Sequence, residues 1–270
     1  GKTLAMRVSW VDPTEDRALY DETSVFGDAV AMEMPAAFGA EHRLPYVGMG
    51  DPDENVVVSM IRACGQCRAC RTGKPYHCAT PYDRGNGVLS LPDGSVVEHG
   101  LATGGFAEEC VVHASQVAPI PDDLPMELGA LLACGVITGA GAVINTAKVE
   151  PGATVVVIGA GGVGLNAIQG ARLAGAARVI AIDLAPEKLD AAREFGATDV
   201  LRADMKGLRR AVMGLTDGLG ADYVLVAVGA IAAYNQASSL ACKGGTVVMV
   251  GMPPSGARME IEPVIAAAPT

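Results

Sequence analysis

From residue 153 onward the chain alternates between short apolar runs and longer stretches of helical character. Residues 154–158, Thr-Val-Val-Val-Ile, form a continuous run of strand length that ends in glycines. A run that is apolar at every position is expected of a strand covered on both faces. A helical stretch to about residue 174 follows, and 178–182 (Arg-Val-Ile-Ala-Ile) is a second strand. Pro186 suits a helix start, where its fixed φ is already helical and its missing N–H is not needed. The helix predicted over 187–195 is stopped by Gly196. A short strand near 199–201, a helix around 206–216, a strand at 223–228, a helix over 231–241 and a fifth strand at 246–250 complete the pattern. Such alternation builds βαβ units and a parallel sheet, so the fold class is α/β.

Before about residue 143 the pattern changes. Short β-like runs (56–58 and 110–112) are separated by Gly and Pro turns, with little helical periodicity. This predicts an irregular, mainly β domain over 1–142, joined by a helix over 129–145 to an α/β domain over 143–270. No internal repeat or low-complexity tract interrupts either part.

Composition narrows the picture. A chain of 270 residues that is half hydrophobic can bury a sizeable core. Its formal net charge of −10 disfavours nucleic acid and anionic membranes as partners. By the count of consecutive apolar residues no segment reaches the roughly 18 of a membrane span. Residues 1–7 lack the apolar core of a secretion signal, so the expected location is the cytoplasm. Four of the seven cysteines are crowded between Cys64 and Cys78. In a reducing compartment crowded cysteines are metal ligands more often than disulfides.

The first chemical motif is Gly159-Ala160-Gly161-Gly162-Val163-Gly164, a G-x-G-x-x-G. Alone it is weak in a chain with 34 glycines. Here it follows a strand, opens a helix, and is matched by an acid, Asp183, at the end of the next strand. That spacing is about the 20 residues expected of a dinucleotide fold. Gly159 permits the tight turn, and Gly161 lets the backbone approach a pyrophosphate on the positive helix N-terminus. Gly164 lets the helix pack closely on the strand. Asp183 can accept both hydroxyls of a ribose and would repel a 2′-phosphate, which favours NAD over NADP. The bland alternative is an ordinary βα turn with no ligand.

The second motif is C-x2-C-x2-C-x7-C, formed by Cys64, Cys67, Cys70 and Cys78. Four close thiolates can close a tetrahedral zinc shell with no open position, a structural site. Arg62, Arg68, Arg71 and Lys74 would offset its negative charge. An iron–sulfur cluster competes, but its motif places the fourth cysteine after three residues and before Pro. Here Cys78 comes after seven and precedes Ala79.

Together, in this order, the two motifs resemble the zinc-containing medium-chain alcohol dehydrogenases. Gly105-Phe106-Ala107-Glu108 resembles that family's G-x-F-A-E-Y segment. Cys134-Gly135-Val136-Ile137-Thr138-Gly139 resembles its C-G-x-x-T-G, and Gly244-Gly245 through Gly251-Met252-Pro253 resembles the stretch beside the nicotinamide. The resemblance runs from about Val56 to Pro254. Its tone is nearest to bacterial members that oxidise alcohols or formaldehyde adducts. It implies an N-terminal GroES-like catalytic domain carrying the zinc lobe (64–78) and a Rossmann domain. It also implies a second, catalytic zinc held by Cys, His and Cys, which polarises the alcohol oxygen before hydride passes to the nicotinamide. By this resemblance Cys134 is the third of those ligands. Thr138, Val228, Gly229, Gly251 and Met252 line the cofactor cleft with Gly162 and Val163, and Lys188 reaches the adenosine ribose. Homo-oligomers are usual in the family.

Both ends depart from the pattern. Residues 8–16, where the family carries G-x-C-H-T-D, contain neither Cys nor His. At the next motif Gly39-Ala40-Glu41 aligns with G-H-E, so Ala40 replaces the ligand His; Glu41 remains a candidate ligand, and His42 lies beside it. The Rossmann sheet is expected to lack its last strand, the family's dimer edge; truncation or a shifted reading frame is a more economical expectation for both departures than adaptation. The leading expectation is hydride transfer between a primary alcohol, or an aldehyde adduct, and NAD. The alternatives are a non-catalytic NAD- and zinc-binding remnant, or zinc-independent transfer like that of quinone reductases, whose relatives usually lack the four-cysteine lobe.

Overall fold

The computed structural model of the chain describes residues 8–9, 31–32, 55–80, 91, 93–95, 103, 109–110 and 112–261. The chain divides into two compact units, Gly1–Cys134 and Gly135–Thr270.

The first unit contains β1 (Val8–Ser9), β2 (Ala31–Met32), β3 (Val56–Val58), the short helix α1 (Arg68–Arg71), β4 (Glu109–Cys110), β5 (Val117–Pro119) and α2 (Met126–Leu131). β1 pairs with β4, and β3 lies between β2 and β5, all antiparallel. The three valines of β3 are buried. Gln116, only 2% exposed, joins the lobe that follows β3 to the turn before β5. Its amide donates to the carbonyl of Ser59 (2.9 Å) and its oxygen accepts from the N–H of His113 (3.1 Å). A buried amide satisfied on both sides fixes that crossing firmly.

The second unit is a five-stranded parallel sheet. Its elements are α3 (Ile137–Gly141), β6 (Thr154–Ile158), α4 (Gly162–Leu173), β7 (Arg178–Asp183), α5 (Pro186–Glu194), β8 (Asp199–Arg202), α6 (Leu208–Leu215), β9 (Ala221–Val226), α7 (Ile231–Leu240) and β10 (Ala241–Met249). The strand order is β10-β9-β6-β7-β8, a doubly wound arrangement in which the order reverses at β6. Side chains alternate across the sheet. Val155, Val157, Val179 and Ala181 pack with Ile168, Ala171 and Ala192 of α4 and α5. Val156, Ile158, Ile180, Ile182, Val224 and Val226 pack with Leu208, Val212, Tyr234 and Leu240 of α6 and α7. Both faces are therefore dry, as the uninterrupted apolar runs require.

Two elements differ from expectation. The fifth strand begins at Ala241 rather than Thr246, because its register against β9 slips between those residues. Gly244 takes φ +75°, and a Cβ on Gly245 would lie 2.9 Å from the carbonyl oxygen of Ala221, so the two glycines make the bulge possible. The helix expected over 129–145 extends over 126–147, with π-helical turns at Leu132–Val136 and Ala142–Ala147. By length and composition Met126–Ala147 is apolar enough to cross a membrane. Scattered glycines and polar residues hide this from a count of consecutive apolar positions. Its part within the second unit packs on α4 through small residues: a Cβ on Gly170 would lie 3.0 Å from the Cα of Ala140. Such packing is that of a helix built into a folded unit.

Candidate functional site

β6 ends at Ile158, and the chain turns at Gly159 with φ +96°, a conformation that disfavours any side chain. The Gly159 N–H donates to the carbonyl of Ile182 (2.7 Å), tying the turn to β7. A Cβ there would also lie 3.0 Å from that of Val228. Gly161 stands at the N-cap of α4 with no side chain capping the helix. A Cβ on Gly161 would meet nothing within 4 Å, so internal packing does not call for glycine at this position. Open space beside the N–H groups of Gly162 and Val163, at the positive end of a helix, suits a bound phosphate. Gly164 is the reverse case: its Cβ would strike the carbonyl oxygen of Gly159. It is glycine so that α4 can sit directly on the turn.

Asp183 closes β7 one strand away. Its Oδ2 accepts from the N–H of Ala160 (2.7 Å) and its Oδ1 from the N–H of Ala185 (3.0 Å). The carboxylate therefore ties the glycine loop to the turn before α5. Each oxygen retains a further lone pair for a hydroxyl donor. Lys188 is exposed in the first turn of α5.

On the other side of β6 the ends of β9 and β10 meet through paired glycines. A Cβ on Gly229 would lie 2.5 Å from the carbonyl oxygen of Met252, and one on Gly251 would lie 2.7 Å from the nitrogen of Val228. The Gly251 N–H donates to Val226 (2.8 Å). Tyr234 of α7, 5% exposed, donates its hydroxyl to the carbonyl of Gly251. Burial raises its pKa, keeping the phenol a donor. Sequence reasoning missed this residue, although a lone tyrosine among small residues was a signal. Thr138 precedes Gly139, whose Cβ would lie 2.7 Å from that of Asn166 in α4. The loop, Asp183, Val228, Gly229 and Gly251 thus gather at the C-terminal edge of one sheet.

In the first unit the four cysteine sulfurs lie within 4.8 Å of one another. Cys67 and Cys70 are 3.5 Å apart, Cys64 and Cys70 3.9 Å, and Cys67 and Cys78 4.0 Å. A tetrahedral zinc–thiolate shell has sulfur separations of about 3.8 Å. Three donors converge on Cys64 Sγ: the Thr80 hydroxyl (3.0 Å) and the N–H groups of Cys67 (3.2 Å) and Gln66 (3.4 Å). These bonds, the Thr80 hydroxyl foremost, lower its pKa to about 6, whereas burial and then Cys67 raise Cys70 to about 11. Four thiolates this close would repel one another, and a divalent cation removes that conflict. The donor set fits zinc.

Cys134, half-buried, lies in the π-helical turn Leu132–Val136. Among the described residues no group of three metal-ligating side chains includes it. Glu41, Ala40 and His42 lie outside the described residues. The described residues therefore do not compose a catalytic zinc site.

Residues 44–122 match the alcohol dehydrogenase GroES-like domain, and residues 162–270 match the zinc-binding dehydrogenase domain. The chain belongs to the zinc-containing medium-chain alcohol dehydrogenases. It is 37% identical over 223 residues to an alcohol dehydrogenase class-3 of Pisum sativum, across 78% of this chain and 59% of the relative. The solved benzyl alcohol dehydrogenase of Acinetobacter calcoaceticus shares 31% identity with a TM-score of 0.72, over 81% of this chain and 60% of that one. An alcohol dehydrogenase zinc-binding domain protein of Burkholderia ambifaria shares 30% identity with a TM-score of 0.75, over 87% and 63% respectively. The chain thus spans about three-fifths of the length of these relatives. Membership implies zinc and NAD(H) as cofactors.

Proposed function

We propose that the chain is an NAD-dependent oxidoreductase acting between a primary alcohol, or an aldehyde adduct, and the carbonyl product. The observation that carries this reading is Asp183, set between the glycine loop and the α5 turn with lone pairs left for two ribose hydroxyls. Gly161 and the first turn of α4 hold the pyrophosphate, with Gly162 and Val163 donating. Lys188 flanks the adenosine side, and Thr138, Val228, Gly229, Gly251 and Met252 flank the nicotinamide side. Bound there, NAD would supply the hydride acceptor for the alcohol carbon, with the hydroxyl proton released to solvent. Cys64, Cys67, Cys70 and Cys78 hold a structural zinc that performs no chemistry. Cys134 is the first-choice ligand for a catalytic zinc, with Glu41 as its partner. Free, closely grouped thiols suit a reducing cytoplasm.

A second reading, an NAD- and zinc-binding protein without turnover, is favoured by the isolation of Cys134 among the described metal-ligating residues. Zinc content measured beside alcohol-dependent NADH formation separates the two. The dehydrogenase reading expects turnover and a zinc that is lost, with activity, on Cys134→Ala. A single zinc that survives that substitution, with no NADH formed, establishes the non-catalytic reading instead.

A further inference from the structure

The segment 251–260 leaves the end of β10 and is held at both ends by consecutive residues of α7. At its start the Tyr234 hydroxyl donates to the carbonyl of Gly251; near its end the N–H of Glu260 donates to Oδ1 of Asn235 (2.9 Å). Between them the chain makes one internal turn, Ala257 N–H to Pro254 carbonyl (3.1 Å), with Gly256 at φ +82°. Met259 packs against the core cluster that contains Tyr234. α7 is itself seated on β9 and β10.

The position of this segment gives the clamp its meaning. Asp183 marks the adenosine half at the end of β7, and the pyrophosphate site lies at the glycine loop after β6. A dinucleotide in a doubly wound sheet lies across the crevice where strand order reverses. Its second half therefore extends over the ends of β9 and β10, where Gly251 meets Val228. On the dinucleotide reading above, we infer that α7 acts as the support of the nicotinamide half, with Tyr234 as a positioning residue. The phenol touches no substrate. It holds the Gly251 carbonyl, and through it the approach of Gly251 to Val228, in the shape the bound ring meets. Without the hydroxyl a carbonyl loses its buried donor, and the segment must be reordered each time the nicotinamide binds.

The test compares NAD with ADP-ribose, which lacks the nicotinamide, by calorimetric titration of the full chain and its Tyr234→Phe variant. The variant keeps the ring in the core. Expected is a loss of about tenfold in NAD affinity, the effect of one buried hydrogen bond, with ADP-ribose binding unchanged. Equal effects on both ligands, or on neither, overturn the inference. Failure of the parent chain to bind either ligand overturns the dinucleotide reading itself, a distinct outcome. Asn235→Ala, at the other end of the clamp, is expected to show the same selectivity with a smaller loss. If Tyr234→Phe does not fold, that variant decides alone: an equal effect of Asn235→Ala on both ligands, or none, also overturns the inference.

Discussion

The glycine loop rests on strands whose Val155, Val156, Val157, Ile180 and Ile182 are almost sealed from solvent, whereas no residue from Ser59 to Thr80 in the cysteine lobe is buried. The first site is an edge of a core that exists for its own reasons; its glycines and its carboxylate are placed by strand ends that would be there without any ligand. The second site has no core except the ligand it would hold. Its helix α1 spans only Arg68–Arg71 and buries nothing. The difference teaches that two sites in one chain can answer to different stabilising forces. Dispersion and burial hold the cleft, whereas the lobe, on the proposed reading, would be held by metal–sulfur bonds.

Removing metal is the most severe way to break that contrast. Chelation is expected to withdraw on the order of 10 kcal/mol of metal-linked folding free energy from the lobe. Amide exchange over 62–80 should become fast while β6, β7 and β9 stay protected; slow exchange in a metal-free lobe would show that it has another source of order. The opposite perturbation is Gly164→Ala, whose methyl would meet the Gly159 carbonyl. It should cost the second unit about 3 kcal/mol, seen as a lower melting transition, with zinc content unchanged. An unaltered transition would mean that α4 does not need its close seat. Smallest is Asp183→Ala, which removes the acceptor of the Ala160 N–H and the ribose contacts together. NAD binding should weaken about tenfold or more with no change in the lobe, and unchanged affinity would defeat the assignment of Asp183.

Much of the second unit was legible in the sequence because each signal agreed with its neighbours. The apolar runs, the glycine loop, Pro186 and Asp183 all describe one βαβ unit, and the five strands form the parallel sheet that the alternation implies. The start of β10 was misjudged because Lys243-Gly244-Gly245 reads as a turn, while in the sheet it is a bulge inside a strand. The π-helical turns around Cys134 were invisible, since π and α geometry share the same residue preferences over one turn. Tyr234 was missed because its role depends on the carbonyl of Gly251, 17 residues away along the chain.

By itself the sequence singled out the residues to which the proposed chemistry is assigned: the loop from Gly159 to Gly164, the acid at 183, and the four thiols from Cys64 to Cys78. These are local patterns, and spacing along a strand or turn is enough to state them. Only the tertiary structure decided why Gly229 and Gly251 must be glycine, since each meets backbone from a different segment. It also showed that Asp183 supports the loop as well as facing it, and that α7 clamps the segment after β10. Contacts between distant stretches have no signature in either stretch alone, because steric exclusion and hydrogen bonding act on distance in space.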